Sequence, residues 1–118
     1  MKLLRFYDQC GGSYEDAVAR FRGEERVLKF LRMLPADESL PELTAAMEQG
    51  DAHTAFRAAH TIKGIALNLG LNRLAAKAST LTETLRGKET MPPEAPELCK
   101  EVEHDCAIVL DSIARLEA

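Results

Sequence analysis

Apolar residues recur at spacings of three and four along nearly the whole chain, and no stretch sustains the alternation of a strand. The pattern predicts an all-α protein. Residues 2–9 form a short first helix that Gly11-Gly12 stops. Ser13, with Asp16 three residues on, resembles a capping box, and Tyr14, Ala17, Val18 and Phe21 then make an apolar face. Gly23 breaks that piece. Val27, Leu28, Leu31 and Leu34 mark a third helix, which Pro35 ends.

Four longer segments follow. Leu40, Leu43 and Met47 mark a helix from about Asp37 to Gln49, with Gly50 as its stop. Asp51 is a good N-cap for the segment through Leu69, which Gly70 ends. Asn72 is placed to cap the next helix, where Leu74, Ala78, Leu81 and Leu85 share a face up to Gly87. Pro92-Pro93 suits the start of a last helix with a seam of Leu98, Val102, Cys106, Val109, Ile113 and Leu116. Four amphipathic helices with short connections imply an antiparallel up-down four-helix bundle over 37–118. Residues 1–35 supply short additional N-terminal helices that cover one end or side. At 118 residues the chain is expected to be one domain.

A wheel drawn at about 100° per residue sorts residues 52–69 into two sides. Ala55, Ala58, Ala59, Ile62, Ile65, Ala66 and Leu69 fall on one, wholly apolar, and are the core face. His53, Phe56, Arg57, His60, Lys63, Gly64 and Leu67 fall on the other. His60, near the middle of that second face, is expected in solvent. An exposed imidazole is largely neutral at physiological pH and nucleophilic. Lys63 sets a cation one turn away. Gly64 costs a mid-helix position about 1 kcal/mol relative to Ala, which makes sense where another surface must come close. Phe56 and Leu67 read as exposed apolar groups flanking the histidine. A nucleophile, a mobile ammonium and open space suit reversible phosphorylation of a ring nitrogen. No carboxylate cluster for Mg²⁺ lies near His60 in the sequence, so metal assistance is expected from a partner.

Composition narrows the setting. The net charge of −4 leaves no basic stripe for nucleic acid. No apolar run is long enough to span a bilayer, and Arg5 and Asp8 interrupt the opening MKLLRFYD, so neither membrane nor export is expected and the cytoplasm is the default. The three cysteines are an odd count without a framework, and buried free thiols are expected. Cys99, His104 and Cys106 do not have a standard zinc spacing, and His53 and His60 lack paired Glu-x-x-His motifs, so no metal site is expected.

HTIKGIALNLG, residues 60–70, resembles the signature of histidine-containing phosphotransfer (HPt) domains. His60, Ile62, Lys63, Gly64, Ala66, Asn68, Leu69 and Gly70 match it, whereas Leu67 stands where many members carry glycine. The likeness covers about residues 37–87, and the N-terminal GGSYEDAVARFRGEERVLKFL resembles the leader of stand-alone bacterial members. The resemblance implies a phosphorelay carrier that shuttles a phosphoryl group between receiver-domain aspartates, or from a histidine kinase to a response regulator. It implies His60 as phosphoacceptor, at Nε2, and Lys63 as stabiliser of the phosphoryl group. Gly64 would make room for the receiver, and Asn68 and Gly70 would shape the helix end. His53, Phe56, Arg57 and Leu67 are read as partner contacts, with Arg57 steering an acidic receiver site; the alternatives are plain solvent exposure for His53 and Arg57 and packing under the N-terminal helices for Phe56 and Leu67. No cofactor of its own is expected; Mg²⁺ would sit on the receiver.

Two other classes stay in view. One is an interaction module that docks receivers without accepting phosphate; the presence of His60 speaks against it. The other is the dimerising phosphoacceptor half of a sensor kinase. There an acidic residue directly follows the histidine and a proline comes a few residues later, where this chain has Thr61 and Gly64. The kinase class requires a dimer, and the carrier is expected to be a monomer. No nucleotide-binding motif is present, so no kinase activity of its own is expected. Met1 favours a free-standing protein.

Overall fold

The computed structural model describes residues 1–117. Among them run α1 (Leu3–Cys10), α2 (Tyr14–Phe21), α3 (Glu24–Leu31), a 3₁₀ turn (Leu34–Ala36), α4 (Ser39–Gln49), α5 (Ala52–Asn68), α6 (Asn72–Leu85) and α7 (Ala95–Ala114). No strand occurs among the described residues. Helices α4 to α7 form the four-helix bundle. Helix α5 lies between α4 and α6, α6 packs on α7, and α4 meets α7 to close the ring. Thr44 of α4 donates to Glu103 of α7 at 3.0 Å across that last contact.

Small residues let α5 sit deep. Ala52, Ala55, Ala58, Ala59 and Ala66 are all buried on it, with Ile62 between them. Their short side chains allow close approach, and the larger groups come from neighbours: Leu43 of α4, Leu74, Leu81 and Leu85 of α6, and Val102 and Val109 of α7. Each such Leu or Val contributes roughly 1.5–3 kcal/mol of apolar burial. Helix α5 starts on Asp51, whose carboxylate accepts the Thr54 N–H at 3.1 Å and its hydroxyl at 2.6 Å. These bonds hold the Asp51 carboxyl below its usual range. Ser13 caps α2 in the same way, accepting the Asp16 N–H at 3.2 Å.

Several sequence expectations need correction. Helix α3 ends at Leu31, short of the expected stop, and Leu34 belongs to the 3₁₀ turn with Pro35. Helix α4 begins at Ser39 rather than Asp37; Asp37 stays outside and accepts the Ser39 N–H at 2.8 Å. Asn72 does not cap α6: it is the first helical residue, and Leu71 is the N-cap with no side-chain bond. The proline in the first turn of α7 is Pro96, while Pro92 and Pro93 lie in the preceding loop. On α7 Cys99 is buried and Leu98 only half-buried, so the seam is rotated towards Cys99, Asp105 and Ser112; Leu116, expected in that seam, lies beyond the end of the helix at Ala114.

The first two helices and the turn between them clamp the junction between α5 and α6. Tyr7 donates to the Leu69 carbonyl at 2.6 Å, and the Ser13 N–H donates to the Gly70 carbonyl at 2.9 Å. Arg73 returns an N–H to the Gly11 carbonyl at 3.1 Å. Arg20 donates to the carbonyls of Leu67 and Asn68 at 2.6 and 3.0 Å, covering acceptors that the end of α5 leaves open. Gly70 turns there with φ +69°, a left-handed conformation that favours glycine.

A buried acid ties α6 to α7. Asp105 is 2% exposed, and Arg73 and Lys77 lie 3.4 and 3.5 Å from its oxygens. The three thiols are free and buried. Burial pushes Cys99 up to about 11 and Cys106 up to about 12, and raises Cys10 as well. Thiolate is the reactive form. A thiol-exchange reagent at neutral pH is therefore expected to leave all three cysteines unmodified in the folded protein and to titrate them fully in denaturant. Rapid labelling of the native chain would contradict this packing.

Candidate functional site

Position along α5 sets exposure at the candidate site. His60 is exposed between the buried Ala59 and Ile62, so its ring projects from the bundle while the backbone beneath it is fixed. Lys63, one turn on, is half-buried. A Cβ added at Gly64 would meet nothing within 4 Å, so the space above this turn is open. Leu67, a turn further, is 49% exposed. His53 and Arg57 are exposed on the same side. His53 faces Glu89 at 3.6 Å, and Arg57 donates to the Thr54 hydroxyl at 3.3 Å.

Phe56 differs from its expectation. It is half-buried rather than exposed, with its ring against the core. Its outer face lies parallel to the His60 imidazole, with centroids 6.0 Å apart and planes 10° from parallel. Arg86 stands over the Phe56 ring with its guanidinium carbon 5.0 Å from the centroid. Glu83 holds that guanidinium by two hydrogen bonds, at 3.2 and 2.8 Å. The bonds from Arg86 keep the Glu83 carboxyl below its usual range, and the nearby Lys63 and His60 act in the same direction.

Sequence reasoning missed Arg86 and Glu83. They close α6, whose chain runs antiparallel to α5, so the last turn of α6 comes beside the first half of α5. The signal was there in the pairing of the helices, since a short turn between α5 and α6 sends position 86 back towards position 56. Below Gly64, the α5–α6 surface opens into a shallow groove of about 360 Å³ lined by Lys63, Leu67, Asn72, Ala75, Ala76 and Ser79. Small side chains on α6 keep it shallow and accessible. Asn68 and Gly70 lie at the clamped end of α5, away from the imidazole. No group of three or more His, Cys, Asp or Glu side chains able to hold a metal ion occurs among the described residues. No helix among them is long and apolar enough to cross a membrane.

The fold and this surface define an all-α bundle in which His60, with the Lys63 cation one turn on, stands exposed on the outside of a central helix. The Hpt domain family model matches residues 29–117, and the chain belongs to that family. Comparison with curated proteins and with solved structures gives no match. Hpt domains serve phosphorelay signal transduction as phosphotransfer intermediates with no kinase machinery of their own, and their partners are receiver domains.

Proposed function

We propose that His60 is the phosphoacceptor and that the protein carries a phosphoryl group to and from the aspartates of receiver domains in response regulators or hybrid histidine kinases. The supporting observation is the exposed His60 ring on α5 with open space above Gly64 one turn on. In the forward step the Nε2 lone pair forms the N–P bond while the P–O bond to the donor aspartate breaks. The bonding pair stays on the departing carboxylate, and the ring sheds its surplus proton to solvent. Metal assistance comes with the receiver.

Each neighbour has a part in this reading. Stacking on Phe56 restricts the imidazole to an outward pose. Lys63 offers an ammonium to the phosphoryl oxygens. Arg86, held by Glu83, is a second cation within the same cluster. Gly64 and the groove beside Lys63 admit the receiver, with His53, Arg57 and Leu67 at its rim. Asn68 and Gly70 shape the end of α5. Residues 1–118 work as one domain, and a carrier of this kind acts as a monomer with a brief, small interface.

The test needs no known partner at first. Phosphoramidate is added to the protein and to His60→Gln, phosphate is located by mass spectrometry and ³¹P NMR, and Mg²⁺ with a panel of receiver domains follows. The expected result is a phosphohistidine at position 60 that at least one receiver drains, and none in the variant. Phosphate on His53 or His104 instead would overturn the assignment. Tight receiver binding without phosphate uptake would favour the docking-module reading. Lys63→Ala is expected to slow transfer roughly ten- to a hundredfold, the range for losing one charge-assisted hydrogen bond, with an unchanged melting curve. An unchanged transfer rate would remove Lys63 from the chemistry.

A further inference from the structure

On the core side of α5, away from His60, a cavity of about 170 Å³ opens between the 3₁₀ turn and helices α4 to α7. Its floor belongs to the core: Ile62, Leu74, Cys106 and Val109 line it, and each is less than a tenth exposed. Its mouth lies at the surface between Pro35 and Pro41, both exposed. Asp37 is the one charged side chain lining it among the described residues, and one of its oxygens already takes the Ser39 N–H.

Protein interiors are packed so that few voids exceed a water molecule. Water settles in a void only where two to four polar groups can bond it, and apolar cavities of about 150 Å³ in other proteins stay dry and take up benzene. This cavity has that size and that chemistry, and unlike a sealed void it has a mouth. Fixed φ angles at the two prolines limit how far the mouth can collapse. We propose that it is a binding site for an uncharged, single-ring or short-chain apolar molecule between toluene and indole in size. A charged ligand would lose its hydration against a floor with nothing to replace it. A long acyl chain exceeds the volume. The inference stands apart from the chemistry at His60 and does not depend on it.

The experiment is a titration of methyl-labelled protein with toluene, indole and benzoate, followed by NMR. Toluene and indole are expected to give saturable shifts at the methyls of Ile62, Leu74 and Val109, and benzoate none. Cys106→Leu fills the floor and is expected to weaken toluene binding about tenfold or more, which is a difference of about 1.4 kcal/mol. Ile65→Phe narrows the cavity from α5 and is expected to act alike; it decides the matter if Cys106→Leu fails to fold. Shifts that rise without saturating, or that scatter over the surface, overturn the proposal. So does undiminished binding in a folded filling variant, and an equal response to benzoate overturns the apolar class.

Discussion

Gly64→Gln is expected to make the protein more stable and nearly useless as a carrier. Nothing lies within 4 Å of the position where a Cβ would sit, so the new side chain meets no obstacle in the free protein. Glutamine is also the better helix former, which adds up to about 1 kcal/mol in a denaturant melt. The same side chain stands one turn from His60, in the space that a receiver's aspartate crosses in the proposed function. A misplacement of about 1 Å can cost a hundredfold in rate, so transfer to a receiver should fall by roughly that factor or more. Uptake from phosphoramidate, a small donor, should hardly change. Rapid-quench transfer assays beside phosphoramidate labelling separate the two effects. Normal receiver transfer in a folded Gly64→Gln protein would refute the steric role. Gly64→Ala, smaller and still stabilising, is expected to fall between.

Gly12→Ala is expected to have the largest effect on stability among single methyl additions to a glycine. A Cβ there would lie 2.4 Å from the Gly70 carbonyl oxygen and 2.9 Å from the Tyr7 ring. The first is backbone, so relief requires moving the α5–α6 junction rather than a side chain. That movement stretches the Ser13 bond to Gly70 and the Tyr7 bond to Leu69, leaving buried acceptors poorly paired. Overpacking together with the lost bonds costs roughly 2–4 kcal/mol. For a chain of this length the midpoint should fall by about 10 °C. A melt within one degree of the parent would show that the junction is looser than its contacts indicate.

The contrast between these two glycines shows what sequence could and could not yield. Gly64 was legible because a lone glycine inside a strongly periodic helix, beside an outward histidine, has no structural excuse. Gly12 read only as a helix stop; its close approach to Gly70 joins residues 58 positions apart and has no local signature. The helices themselves were legible from periodicity, and their caps were read correctly where a side chain does the capping, as at Asp51 and Ser13. They were misread where a backbone turn does the work, as at Leu71. Asp105 was hidden because charge normally marks a solvent face, and its partners Arg73 and Lys77 come from another helix. Arg86 was hidden for the same reason: only the antiparallel pairing of α5 and α6 brings it over Phe56.

The match to the family begins at residue 29, after α1 and α2 have ended. Those two helices nevertheless supply Tyr7, Ser13 and Arg20, which hold the last carbonyls of α5 and the turn beyond it. A gene trimmed to the recognisable part would keep every residue of the signature and lose the brace that fixes its far end. Anyone transplanting this carrier into a synthetic signalling circuit should move the first 28 residues with it, since similarity marks where a module is familiar and hydrogen bonds mark where it can be cut.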